Sequence, residues 1–263
     1  MLEELRVLAI EAARAAAAVH ASRNAGGLEV SSKSDSADLV TRIDREAEAA
    51  LVRLISSSRP NDAIVSEEGT DRAGTSGVTW ILDPLDGTTN LVHGYPHHAV
   101  AVGVLIGNVR KLGVVLDSAN DRLNVGAVGQ GASRDGKALA ASSRRELKAA
   151  LVGTGFLPSD RVRLLQAEVL KAVLPRVRDI RRSGSAALDL CAVAEGWLDA
   201  YYEFGIGRWD LTAGAAIAEA AGATVVELDP GILPGPLVIA GNERIVEDLA
   251  EVILASVRRL GAG

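Results

Sequence analysis

The chain has 263 residues, 48% of them hydrophobic and 24% charged, with a formal net charge of −6. That supplies a large core, as one domain or two closely packed halves, and the acidic balance argues against nucleic acid as the main partner. A single cysteine, Cys191, excludes an internal disulfide and fits a reducing compartment. Residues 2–22 place Leu5, Leu8, Ala9, Ala12, Ala16 and Val19 at helical spacing and predict an amphipathic helix. Its first turn carries Glu3 and Glu4 where a secretory leader needs basic residues, and no run reaches the ~18 apolar residues of a bilayer span. A cytoplasmic location with no membrane partner is therefore expected.

A polar stretch over 24–37 precedes a second helix, 42–58, which stops before Pro60. Residues 63–66 read as a short strand ending in Glu67-Glu68-Gly69, and 78–82 as a second strand after a turn-rich segment. Residues 99–106 and 109–116 flank Gly107-Asn108 as a hairpin, and 122–128 and 132–134 extend that antiparallel sheet. The second half alternates strands at 151–154, 177–180, 197–203 and 238–240 with helices at 161–174, 186–195, 211–221 and 243–260. This order predicts a layered α+β and α/β sandwich in a single unit, with an N-terminal half of about 1–145 and a C-terminal half of about 146–263.

Asp83-Pro84-Leu85-Asp86-Gly87-Thr88-Thr89-Asn90 follows directly on the apolar run 78–82. Two carboxylates at a strand end suit a hard cation, and a Gly-Thr-Thr helix start suits a phosphate. Glu67 and Glu68 end the preceding strand, and Asp210 opens a helix after Trp209. Each segment alone has an ordinary structural reading: a turn at Asp83-Pro84, solvated charge at Glu67-Glu68, a helix cap at Asp210. Together they point to metal-assisted phosphate chemistry. Converging carboxylates repel one another unless cations neutralise them, and Mg²⁺ prefers oxygen ligands while sharing its shell with phosphate.

These segments resemble the inositol monophosphatases, a metal-dependent, lithium-sensitive phosphatase family. Asp83 to Asn90 resembles its first signature and Trp209-Asp210-Leu211-Thr212-Ala213-Gly214-Ala215 its second. Ser66-Glu67-Glu68-Gly69, the early segment from Asp38 to Asp44, Arg182-Ser183-Gly184-Ser185-Ala186-Ala187 and Tyr201-Tyr202-Glu203 also match, in the family's order. The resemblance implies an αβαβα sandwich, a homodimer, and Mg²⁺-dependent hydrolysis of a small polyol phosphate, foremost myo-inositol 1-phosphate. It implies a first Mg²⁺ on Glu67, Asp83 and the Leu85 carbonyl and a second on Asp83, Asp86 and Asp210, with a third, weaker ion leaning on Glu67.

By the same resemblance Thr88, oriented by Asp44, works on the attacking water alongside Glu67. The amides of Gly87 and Thr88 take phosphate oxygens, while Asp86, Asp210, Glu203 and the Gly184-Ser185-Ala186 backbone take substrate hydroxyls. Lys33 belongs, by analogy, to a lid in the polar stretch. Leu91 replaces an aromatic residue common in the family, a change expected to alter packing rather than chemistry. Fructose 1,6-bisphosphate, histidinol phosphate and nucleotide phosphates remain as alternative substrates. Thr89, where histidinol-phosphate enzymes tend to carry Lys, favours the inositol type. A non-catalytic regulatory protein on the same scaffold is the competing class.

Overall fold

The computed structural model describes residues 1–21, 30–32, 39–231 and 234–261, with the side chains of 30–32 and 39–41 left aside. Lys33 and Asp38 lie outside the described residues. In chain order the elements are α1 (Leu2–Ala21), β1 (Val30–Ser32), β2 (Leu39–Thr41), α2 (Arg42–Ser58), β3 (Ala63–Ser66), β4 (Val78–Asp86), α3 (Thr88–His93), β5 (Ala99–Ile106), β6 (Val109–Asp117), β7 (Arg122–Ala127), β8 (Gly131–Arg134) and β9 (Lys137–Ala138). They continue with β10 (Leu151–Thr154), α4 (Asp160–Val173), β11 (Asp179–Arg181), α5 (Ala186–Ala194), β12 (Ala200–Phe204), α6 (Arg208–Ala220), β13 (Thr224–Leu228), β14 (Leu237–Gly241) and α7 (Glu243–Gly261).

Strands β3 to β9 form one sheet in sequence order, antiparallel except for the parallel β3–β4 pair. Its strands alternate with period two. Val100, Val102, Val104, Leu112, Val114 and Leu116 face α1 and α2, while Ala99, Ala101 and Val115 face α5 and α6. Both faces are covered, which explains the nearly continuous apolar run from Ala99 to Ile106. The second sheet, ordered β11-β10-β12-β14-β13, packs one face on α5 and α6 through Tyr201, Val238 and Ala240. Its other face meets α4 and α7 through Ala200, Tyr202, Phe204 and Ile239. The layers are therefore helix, sheet, helix, sheet, helix, as expected.

The middle helix layer is seated by glycine. Gly103 pairs with Gly113 across β5 and β6, and Gly113 with Gly126 across β6 and β7. These three form a row of bare backbone beneath α6. A Cβ on Gly113 would stand 2.0 Å from the Ala213 carbonyl oxygen, and one on Gly126 2.6 Å from the Ile217 Cα. Helix α6 thus rests directly on the sheet, and from Leu211 to Ala218 every residue is buried.

Several local expectations are corrected. Strand β4 does not stop at Leu82: it runs through Asp86 with an irregularity between Asp83 and Asp86, so both acids sit in the strand rather than past it. Val30–Ser32, inside the expected polar stretch, pairs antiparallel with Leu39–Thr41. The strand expected over 177–180 lies at Asp179–Arg181, and that over 197–203 starts at Ala200, leaving Trp197 mostly exposed under the Arg134 guanidinium. Strand β13 went unread. The second sheet is mixed: β10 runs parallel to β11 and β12, but β14 runs antiparallel to β12 and β13. The link from β13 to β14, residues 229–236, is shorter than the dozen or so residues of a parallel crossover.

Candidate active site

Three elements deliver acids to one place. The β4 irregularity presents Asp83 and Asp86, the first turn of α6 presents Asp210, and the end of β3 presents Glu67. One carboxylate oxygen from each of Asp83, Asp86 and Asp210 lies within 4.8 Å of the others. Glu67, half-buried, interacts with the Asp83 carboxyl. Asp210 is not the helix cap but the third residue of α6; its Oδ2 accepts from the amide of Gly207, the N-cap, at 3.1 Å.

Burial is the main force raising Asp83 well above the usual carboxylate range, reinforced by Glu67, Asp210 and Asp86. Burial likewise raises Asp210, with Asp86 and Glu67 adding to it. Asp86 is pushed up to about 6 by burial, against the pull of hydrogen bonds from Ser185 and the α5 amides. Its Oδ2 accepts from the Ser185 hydroxyl at 2.6 Å and from the Ala187 amide at 2.7 Å. Ser185 also caps α5, its hydroxyl accepting from the Leu188 amide. Asp83 Oδ1 accepts from the Leu85 amide, while its buried Oδ2 meets no hydrogen-bond donor among the described residues. A buried acidic oxygen without a donor, among acids that oppose one another's ionisation, fits a hard divalent cation.

Around this cluster the remaining predicted residues are distributed as follows. The Thr88 hydroxyl lies 3.1 Å from the Leu85 carbonyl and 3.4 Å from Asp44 Oδ1. Gly87 caps α3 with φ 94° and ψ 34°, a left-handed conformation that favours glycine. Ile43, Leu85 and Leu91 pack as a small buried cluster under this turn. Asn90, from the same segment, donates to the carbonyls of His97 and Ser183 at 2.7 and 3.0 Å. It thereby fastens the turn before Gly184 onto α3.

Beside Asp86 and Asp210 opens a cavity of about 180 Å³ lined by Arg182, Gly184, Ser185, Ala186, Asp189 and Glu203, among others. Burial pushes Glu203 up to about 7, although the Tyr201 hydroxyl hydrogen-bonds its carboxylate. Wider depressions of about 600 Å³ beside Arg110 and about 610 Å³ beside Arg176 contain none of the clustered acids.

Asp189 was missed. It is buried at the cavity wall and pushed up to about 7, first by burial and then by Asp86 and Glu203. The available signal was an acid inside the otherwise apolar helix Ala186–Ala194. Cys191 lies in the core. No helix among the described residues is long and apolar enough to cross a membrane.

Comparison with known proteins identifies the family. A model of the inositol monophosphatase family matches residues 1–262. The inositol-1-monophosphatase of Mycobacterium bovis is 43% identical over 88% of this chain and 81% of its own length. A Haemophilus influenzae relative named Nus factor SuhB is 37% identical over 82% of each. The crystal structure of the extragenic suppressor protein SuhB from Bartonella henselae superposes with a TM-score of 0.87 at 31% identity, covering 95% of this chain and 98% of that one. With the family model spanning nearly every residue and the same layered fold in its relatives, the chain belongs to the inositol monophosphatase family.

Proposed function

We propose that the protein is a Mg²⁺-dependent phosphatase that hydrolyses the phosphate monoester of a small polyol, with myo-inositol 1-phosphate as its substrate. The observation that carries this reading is the meeting of Asp83, Asp86 and Asp210 beside a small polar cavity. Glu67, Asp83 and the Leu85 carbonyl would hold one Mg²⁺, and Asp83, Asp86 and Asp210 a second, with a third, weaker ion leaning on Glu67. Divalent cations held by these residues would lower the pKa of a water and neutralise charge on the phosphate and the departing oxygen.

The chain's own groups then have separable tasks. The Thr88 hydroxyl gives its proton toward Leu85 O or Asp44, so its lone pairs are free to accept from a water and hold it for in-line attack alongside Glu67. The amides of Gly87 and Thr88, at the start of α3, receive phosphate oxygens. Asp86 and Asp210 also border the polyol cavity. The cavity's backbone at Gly184, Ser185 and Ala186, together with Glu203, offers polar groups for ring hydroxyls. Its volume lies below the roughly 300–1,000 Å³ of pockets that take drug-sized ligands, which favours a small polyol over a nucleotide. A homodimer and lithium inhibition follow from the family resemblance.

The competing reading is a non-catalytic regulatory role on the same scaffold, suggested by the relative named Nus factor SuhB. Retention of the acid cluster and of the Asp44–Thr88 pair favours catalysis. The deciding experiment compares kcat/KM for myo-inositol 1-phosphate, fructose 1,6-bisphosphate, histidinol phosphate and a nucleoside monophosphate in Mg²⁺. A preference for the inositol ester supports the proposal. A preference for another ester replaces the substrate, and no turnover on any of them favours the regulatory role.

A further inference from the structure

The irregularity in β4 that presents the acids leaves Pro84 and Leu85 without partners in the β4–β5 ladder, since pairing passes from Asp83↔Ala101 to Asp86↔Ala99. Their backbone polar groups must be satisfied elsewhere. Pro84 has no N–H. The Leu85 amide goes to Asp83 Oδ1, and the Leu85 carbonyl faces the Thr88 hydroxyl. The Pro84 carbonyl is met by His20 Nε2 at 3.0 Å, from the last turn of α1, sixty-four residues away in sequence. None of the tasks described above uses this histidine, which is 4% exposed.

The partners assign a direction to each hydrogen bond along this path, with the His98 carbonyl a second, longer contact of the Ser118 hydroxyl at 3.3 Å. A carbonyl only accepts, so His20 Nε2 carries the proton. Burial, with the neighbouring His98, pushes His20 down to about 4, so at neutral pH the ring has one proton and Nδ1 must accept. The Ser118 hydroxyl lies 2.7 Å from that Nδ1 and donates to it. His98 Nδ1, 2.9 Å from the same hydroxyl, then donates to it. Ser118 is itself fixed, its amide bonding to the His98 carbonyl at 3.2 Å. His98 in turn packs on the turn's far end: a Cβ on Gly87 would stand 3.3 Å from the His98 Cα and Cβ. One chain of hydrogen bonds from His98 through Ser118 to His20 thus reaches Pro84, while His98 packs against Gly87.

We propose that His20, oriented by Ser118 and His98, is a positioning residue that sets the backbone of the Asp83–Gly87 turn and thereby its affinity for a divalent cation. The inference rests on the metal-dependent reading above. Groups that fix the residues around a metal typically change its affinity about 10- to 100-fold. The test is Mg²⁺ binding by calorimetry to the wild type, His20→Leu and His20→Gln, with thermal melts of each metal-free protein.

The expected result is binding at least about tenfold weaker in His20→Leu and recovery to within about threefold of wild type in His20→Gln, which keeps an N–H near the Pro84 carbonyl. KM for substrate at saturating Mg²⁺ should stay unchanged in both. Mg²⁺ affinity in His20→Leu within twofold of wild type overturns the inference, as does a His20→Gln variant as weak as His20→Leu. Should His20→Leu fail to fold, ¹⁵N NMR of the wild-type imidazole decides. An Nε2–H tautomer whose resonance shifts on adding Mg²⁺ is expected; an Nδ1–H tautomer, or a signal indifferent to Mg²⁺, refutes it. If the wild type takes up no Mg²⁺, the phosphatase reading itself falls; if it does and His20→Leu matches it, only this inference falls.

Discussion

Replacing Gly113 by Ala tests whether the bare row under α6 is what brings Asp210 to the β4 acids. The new Cβ would lie 2.0 Å from the Ala213 carbonyl oxygen and 2.8 Å from its carbon, both backbone atoms that no rotamer change can move. Restoring an ordinary contact of about 3.4 Å requires α6 to lift or slide by about 1.4 Å. Asp210 lies three residues before Ala213 on the same helix, so it moves with it. Overpacking of a buried contact costs about 1–3 kcal/mol, and a displacement near 1 Å at a reacting centre costs on the order of 100-fold in rate. Gly113→Ala is therefore expected to lower Tm and to weaken both Mg²⁺ uptake and turnover of myo-inositol 1-phosphate, measured well below its Tm. If Mg²⁺ affinity and turnover remain within twofold of wild type, α6 is not seated in the way described.

Other expectations follow from the site's electrostatics. Asp86→Asn keeps the shape that accepts from Ser185 and Ala187 but removes a buried charge whose ionisation is opposed. It should raise the Tm of the metal-free protein while lowering kcat at least about 100-fold, and a variant with near-normal kcat would contradict the role given to Asp86. Folding raises Asp86 to about 6 and Glu203 and Asp189 to about 7, so between roughly pH 4 and 7 the native metal-free state holds more protons than the unfolded chain. Their stabilising contribution is present at low pH and is lost as pH rises through the folded values; melts at pH 5 and pH 8 should show Tm falling, with Mg²⁺ reducing the fall. Glu203→Gln should raise KM about tenfold with little change in kcat, because a hydrogen bond to a charged acceptor contributes about 1.5–3 kcal/mol; a kcat loss with unchanged KM would move Glu203 from binding to chemistry.

Much of this architecture was legible from spacing alone. Apolar alternation in β5 and β6 and the helical stripes of α1 and α2 are local patterns, and local patterns survive folding when both faces of a sheet are covered. Asp83 and Asp86 stood out because two acids three residues apart, following Trp80-Ile81-Leu82, lead straight into a Gly-Thr-Thr helix start. What escaped depends on contacts between distant segments. The β4 irregularity appears only in its register with β5, and the glycine row only when three strands are aligned. His20 looks like the polar end of an Ala-rich helix until Pro84 is placed beside it. Strand β13 escaped for another reason: a short edge segment, half-exposed along its length, carries little periodic signal.

The most direct measurement is hydrolysis of myo-inositol 1-phosphate by protein stripped with EDTA, before and after Mg²⁺ is returned. The cluster of Asp83, Asp86 and Asp210 predicts activity reduced at least about 100-fold by stripping and restored by Mg²⁺. Undiminished hydrolysis by the stripped protein would contradict a metal-dependent mechanism at these acids.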